Sequence, residues 1–520
     1  MAGHVFVAHG DLTHLACDDW LIPTDDCLHV TPRWWTPHSE ASMRQAGAWR
    51  FDESPAGSRT DVGPSRRVIP LLDESYACPR PWLVSVQGDP VANAVAFVRT
   101  VARAGHGRFL RRDRRLVAAP VIGTGWGGKQ AVAGDVLAEL IPALAEAIRG
   151  DVEADVVVMT YTEADYAAAQ HARRQCSAPE ALWEELPRRL RAPADQLAEL
   201  AMQGRLVLFL GAGVGVGAGL PLWDGLLERL GELAGVGAAE REHYVQLGEL
   251  DRAEYVGQRL RGGGRHLGAE VASVLGSYDK VGLAHCLLAG LPCKETVTTN
   301  YDTLFETACA DMKQQVAVLP YAPATRAQRW LLKMHGCVEH AQDIVLTRQN
   351  YLRYAERNAA LAGIVQAMLI TKHMLFLGFS LRDDNFLRIV DQVRQAVHPE
   401  GTFPPDPEHR LGTSVMLFNN PLLADLWKNE IDWVCLGEEG MTHTQASRRC
   451  DIFLDYLAFR ATSQAHLMDP RFGGVLGEED LALRQLLEPL LRASGPARKA
   501  AAWPMVRDLI VALGGTLARP

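Results

Sequence analysis

The sequence predicts an α/β protein of two domains, the second built on a doubly wound parallel sheet and followed by a helical C-terminal segment. Three observations predict it. The chain has 520 residues, more than a single hydrophobic core usually serves. Short apolar runs alternate with helix-like patterns along most of its length. Two of those runs end in glycine-rich turns that open directly into a helical pattern: "LVLFLGAGVGVGAGLPLWDGL" at Leu206–Leu226 and "VAAPVIGTGWGGKQAVAGDVLAELIPAL" at 117–144.

The elements follow in order. In the first domain, 1–170, "HVFVAHG", "WLVSV", "RLVAAPVIGTG" and "ADVVVMTYT" read as strands, and "AVAGDVLAELIPALAEAIRG" reads as an amphipathic helix. Residues 171–198 are charged and contain three prolines, the pattern of a linker carrying a short helix. The second domain, 199–464, has strands in "RLVLFLGAG", "ETVTTNYD", "WLLKMHG" and "HMLFLGFS", with helices between. "RLRGGGRHLG" and "HPEGTFPPDPEHRLG" read as exposed loops, and 465–520 as helices broken by proline and glycine.

Composition narrows the function classes. The chain is 48% apolar and 22% charged, as in ordinary globular proteins. A net charge of -9 argues against general nucleic-acid binding. No apolar run reaches the roughly 18 residues a membrane span needs, and the N-terminus lacks a basic start and an apolar signal core, so a cytoplasmic location is expected. The ten cysteines form no C-x-x-C pair, which predicts reduced thiols and no metal.

Ligands of open α/β sheets bind beyond the carboxyl ends of the strands. Four motifs of the second domain sit at such ends. The glycines at 211, 213, 215, 217 and 219 make backbone N–H groups reachable by a pyrophosphate, and no G-K-[ST] follows as in a triphosphatase loop. "TVTTNYDTLFETA" places Asn300 and Asp302 after a strand, "LLKMHGCVEH" places His335 after another, and "MLFLGFSLRDDNFLRIV" places Gly378, Ser380, Asp383 and Asp384 in a third turn. Each has a plainer reading: Asn300 as a helix N-cap, His335 as a loop histidine, the two aspartates as solvated charges. All would have to hold together.

Set and order resemble the sirtuin-like superfamily, through "GAGVGVGAGLPLW", "TTNYD", "KMHG", "IVLTRQNY" and "FLGFSLRDDN" across about 199–460. The forms "GLPLW" and "TNYD" are closer to bacterial NAD-cleaving members than to deacylases. Two departures stand out: Gly215 occupies the place of the family's usual serine, and the paired cysteines of a deacylase zinc module are missing. The resemblance implies NAD as substrate. Gly211, Ala212 and Gly213 would line its pyrophosphate, and Thr299 would belong to the same contacting set. Asn300 and Asp302 would stand near the nicotinamide ribose, and His335 nearest the anomeric carbon. Gly378, Ser380 and Asp384 would flank the adenosine. Cleavage would yield nicotinamide and ADP-ribose, a cyclic by-product being also compatible with this chemistry.

In the first domain, "GDLTHLACDDWLIPTD" and the loop at Gly123–Gly128 resemble a macro domain, a binder of ADP-ribose. Asp11 would contact the adenine, and Gly125, Trp126, Gly127 and Gly128 would wrap the diphosphate. The family's "NAAN" reads "PTDD" here, which points to binding rather than hydrolysis. The combination resembles antiphage effectors of the Thoeris kind. It implies a regulated NAD glycohydrolase, silent until a cyclic ADP-ribose-type activator, a signal-producing partner protein or homo-oligomer assembly switches it on. An NAD-dependent ADP-ribosyltransferase or deacylase, and a non-catalytic nucleotide-binding scaffold, are the alternatives.

Overall fold

The computed structural model describes residues 2–37, 39–50, 52, 67–71, 79–123, 133–150, 152–176, 178–397, 410–493 and 495–517. Its contacts divide the chain into two compact units, Met1–Pro187 together with Thr462–Pro520, and Arg188–Ala461. Among the described residues no helix is long and apolar enough to cross a membrane.

In the first unit, strands β1 (Val5–His9), β2 (Asp19–Thr24), β5 (Val68–Pro70), β6 (Arg80–Ser85), β7 (Arg115–Pro120) and β8 (Ala154–Thr160) form one sheet, ordered β1-β8-β7-β2-β6-β5. The two-residue strands β3 (His29–Val30) and β4 (Trp49–Arg50) pair with each other. All neighbours in the large sheet are parallel except β5, which runs antiparallel to β6. Every residue of β1, β6, β7 and β8 is buried, as expected for parallel strands covered on both faces. The predicted helix forms over Ala133–Ala147. β2 begins at the second residue of the acid pair Asp18–Asp19 and is not obvious as a strand. Asp19 is fully buried because it accepts from Trp82 Nε1 (2.9 Å) and Arg115 Nη1 (2.7 Å) and pairs with His106 Nε2 (2.8 Å).

The stretch read as a linker contains the end of the helix Glu163–Gln175, a 3-10 turn at Pro179–Trp183, and the start of the helix Arg188–Met202. Pro193 lies within that last helix, whose buried stripe of Leu190, Ala194, Leu197, Ala198 and Ala201 repeats at helical spacing. After Ala461 the chain rejoins the first unit. Phe472 and Val475 are buried in its core, and the Gly134 backbone lies so close to Phe472 that a Cβ would stand 3.0 Å from the Phe472 Cα.

The second unit carries a seven-stranded sheet of β9 (Leu206–Leu210), β10 (Glu295–Thr298), β11 (Val316–Leu319), β12 (Arg329–Lys333), β13 (His373–Leu377), β14 (Gly412–Met416) and β15 (Ile431–Cys435). The order is β11-β12-β10-β9-β13-β14-β15, and every pairing is parallel. β9 is central. The chain winds outward from it through β10 and then crosses to β13 on its other side. That reversal opens a crevice beyond the carboxyl ends of β9, β10 and β13, the switch point at which such sheets bind ligands. A cluster of Phe209, Phe376, Phe379 and Phe386 locks β9 to β13 beneath it, with ring centroids 4.6–6.3 Å apart.

Candidate functional site

A cleft of about 610 Å³ occupies this switch point. Of the residues the sequence singled out, Ala212, Thr299, Asn300, Asp302, His335, Gly378, Ser380 and Asp384 all line it. Gly211 and Gly213 do not. They form the wall behind it, where the β9 and β13 turns meet backbone to backbone. Gly211 N–H donates to Leu377 O at 2.9 Å and Gly213 N–H to Gly378 O at 3.0 Å. A Cβ on Gly213 would stand 2.7 Å from the Gly378 Cα, and one on Gly378 would stand 2.5 Å from Val214 N. Gly378 also holds φ +62°, in the left-handed region. These glycines therefore allow two turns to interlock, while Ala212 between them faces the cleft.

The β10 turn presents Asn300. Thr298 Oγ1 donates to Leu210 O (2.9 Å) and accepts from Asn300 N–H (3.0 Å). The Asn300 side chain caps no helix; its Nδ2 donates to Gly211 O at 3.1 Å. With the amide nitrogen tied down, Oδ1 is the acceptor left for the cleft. Asp302 accepts from Leu304 N–H at 3.1 Å, at the start of the helix Leu304–Asp311.

Beneath this turn lies Lys333, the last residue of β12, with a side chain 0% exposed. Its Nζ donates to the carbonyls of Tyr301 and Asp302 and pairs with Glu306 Oε1 at 2.7 Å. Burial alone would lower the lysine, but Glu306, Cys337 and Asp302 outweigh it and hold the group above its ordinary range. The sequence marked the "KMHG" motif but assigned no role to this lysine; its signal was a charge closing an apolar strand. Lys333→Met would leave the partly buried Glu306 without its cation and the two carbonyls without their donor, a cost of about 2–3 kcal/mol. The midpoint of thermal unfolding should drop accordingly, and an unchanged midpoint would contradict the anchoring role.

His335 follows β12 and is 2% exposed. Its carbonyl accepts from Val345 N–H at 2.9 Å, and Gly336 turns the chain with φ +91°. The ring packs against Tyr351 and Tyr354, with centroids 5.4 and 6.0 Å away. Nε2 lies 3.4 Å from Asn385 Nδ2 and 3.6 Å from Asp383 Oδ2. Burial pulls the imidazole below its usual pKa and Asp383 pulls it partly back, so the ring is neutral at pH 7. The two aspartates of "RDDN" separate by orientation. Asp383 turns inward, accepting from Tyr351 OH (2.8 Å) and Phe386 N–H (2.9 Å). Asp384 is exposed at the start of the helix Asp384–Val397. Arg348 and Arg382 also line the cleft, but Arg348 is held by Asp251, with Nη2 2.8 Å from Oδ2.

In the first unit, Asp11 follows β1 and accepts from the Thr13 N–H and hydroxyl at 2.9 and 2.8 Å. Gly125, Trp126, Gly127 and Gly128 lie outside the described residues. The acids of "PTDD" build their own turn: Asp25 accepts from the N–H groups of Cys27 and His29, both at 2.9 Å, and Asp26 accepts from Ser85 Oγ at 2.5 Å.

Residues 294–407 match the model of the SIR2-like domain. The SIR2-like stretch begins at the edge of β10 and takes in Asn300, Asp302, His335 and the β13 turn. The chain is 31% identical over 204 residues to an NAD(+) hydrolase ThsA of Bacillus cereus (strain MSX-D12), an alignment covering 38% of this chain and 41% of that protein. It is 29% identical over 205 residues to an NAD(+) hydrolase ThsA of Enterococcus faecium, covering 38% and 42%. Similarity to defense-associated sirtuin 2 of Bacillus subtilis is 26% over 213 residues, covering 38% and 20%. The matched stretch thus spans less than half the length of each of these relatives.

Proposed function

We propose that the chain is an NAD glycohydrolase that cleaves NAD to nicotinamide and ADP-ribose, and that it serves in antiphage defence. The observation that carries this reading is the convergence of Asn300 and His335 on one cleft at the switch point of the sheet. The relatives named NAD(+) hydrolase and defense-associated sirtuin support it.

The chemistry follows from the side chains. Nicotinamide leaves as a neutral molecule and needs little acid assistance. Positive charge develops on the ribose, and Asn300 Oδ1 and the Asp302 carboxylate supply negative potential beside it. Neutral His335 accepts the proton of the attacking water or of a ribose hydroxyl. Overall, the bond between the anomeric carbon and nicotinamide breaks, water oxygen takes its place, and one proton is released. Arg382 supplies a cation for the diphosphate, and Ser380 and Asp384 take the adenosine half.

In this reading the first unit senses an ADP-ribose-type nucleotide through Asp11 and the loop at Gly125–Gly128, and the signal, a partner protein or oligomer assembly releases the activity. The domain limits read from sequence, 1–170 and 199–464, belong to the same proposal. A protein deacylase is the second reading, disfavoured because no C-x-x-C pair exists to hold the zinc module. The test is chromatography of NAD incubated with the full chain, with and without cyclic ADP-ribose isomers, and in a parallel arm with an acylated peptide. Release of nicotinamide and ADP-ribose without peptide supports the glycohydrolase; turnover that requires the peptide supports the alternative.

A further inference from the structure

The surroundings of His335 contain more polar machinery than a neutral packed histidine requires. Asp383 is 12% exposed and stands 3.6 Å from Nε2. Each of its two oxygens accepts a hydrogen bond, Oδ2 from the Tyr351 hydroxyl at 2.8 Å and Oδ1 from the Phe386 N–H at 2.9 Å. Asn385 is 1% exposed and sits 3.4 Å from the same Nε2. Its Oδ1 is buried with no hydrogen-bond partner. A buried unpartnered carbonyl oxygen is costly. Turning the amide over sets Oδ1 against Nε2, where it accepts a hydrogen bond provided Nε2 carries a hydrogen, as the neighbouring Asp383 carboxylate also favours.

We propose that Asp383 is the charge partner of His335, held in place by Tyr351, and that Asn385 fixes the ring with its proton on Nε2. This rests on the NAD glycohydrolase reading and deepens it. Nε2–H faces Asp383 and Asn385, which leaves the Nδ1 lone pair for the transfer. As water adds to the anomeric carbon, one water proton moves to Nδ1 and the carbon–nicotinamide bond electrons leave with nicotinamide. The resulting imidazolium is balanced by the Asp383 carboxylate and then returns its proton to solvent. Asp383 and Tyr351 act through His335 and are positioning residues.

Among the described residues, the groups facing the ring are Asp383 from the β13 turn, Asn385 from the helix Asp384–Val397, and Tyr351 and Tyr354 from the helix Arg348–Arg357, with Tyr301 beside Asp383. Burial keeps all three tyrosine hydroxyls protonated well above neutral pH. Asp383 is then the only negative charge among them, and its effect on the ring is to favour the protonated form.

The test is Asp383→Asn in the full chain. Asparagine retains an acceptor for the Phe386 N–H at the helix start, so the substitution removes charge more than structure. The expected result is a fall in kcat of about 100-fold, with KM little changed. The acid limb of the kcat profile should also move to lower pH by about one unit, because the imidazole loses its neighbouring carboxylate. Tyr351→Phe should lower kcat several-fold and leave that midpoint in place, since the carboxylate remains. Wild-type kcat and an unmoved limb in Asp383→Asn would overturn the proposal. If that variant does not fold, Tyr351→Phe at the wild-type rate does the same. An inactive His335→Ala beside an unaltered Asp383→Asn would remove this inference alone, whereas His335→Ala that still consumes NAD, or a wild type that never does, would remove the glycohydrolase reading with it.

Discussion

Replacing Asn300 with alanine is expected to lower NAD cleavage by about 10²–10³-fold, the usual cost of deleting one preorganised group that faces developing charge. The preorganisation is visible in the β10 turn. The main-chain N–H of Asn300 bonds Thr298 Oγ1 at 3.0 Å and its Nδ2 bonds Gly211 O at 3.1 Å. The side chain therefore does not need to reorient when charge appears on the ribose. Only one hydrogen bond at the cleft edge is lost on substitution, about 1 kcal/mol, so the variant should fold. Nicotinamide release measured against thermal unfolding separates the two effects. Full turnover in a folded Asn300→Ala would end the assignment.

His335→Ala should cost about 10²–10⁴-fold, the range for loss of a positioned acid–base group. The accompanying pH behaviour is more informative. A histidine base works only when neutral, so activity is present above its pKa and falls as pH drops through it. Burial, partly offset by Asp383, sets that pKa below the ordinary 6.5. The acid limb of the wild-type profile should accordingly lie below pH 6.5, and the residual activity of His335→Ala should lack it. A limb that survives the substitution unchanged belongs to another group. Truncation also leaves a cavity between Tyr351 and Tyr354, and the thermal midpoint should drop modestly.

How much of this was legible in the sequence varies by element. Strands β9, β10, β12 and β13 are short apolar runs bounded by turn residues, and each was predicted. β11, β14 and β15 were not, because β11 is only four residues long and β14 and β15 mix polar with apolar types. β2 was obscured by Asp18 and Asp19, whose partners lie up to 98 residues away. The proline-bearing stretch read as a linker is partly helical because its buried stripe outweighs Pro193. At the site, the motif residues were recoverable because strand tips carry them in fixed order. Lys333, Tyr351 and Asn385 were not assigned, since each acts through a partner remote in sequence.

The sequence by itself determined which side chains stand at the ends of which strands. A strand running into a turn is a local event, governed by apolar pattern and by glycines that tolerate close approach or positive φ. Which of those tips share a cleft was decided only by tertiary structure. Strand order is set by packing between residues far apart along the chain, and it placed β9 between β10 and β13. The same packing settled why Gly211 and Gly213 are glycines, which of Asp383 and Asp384 turns toward His335, and which buried lysine anchors the Asn300 turn.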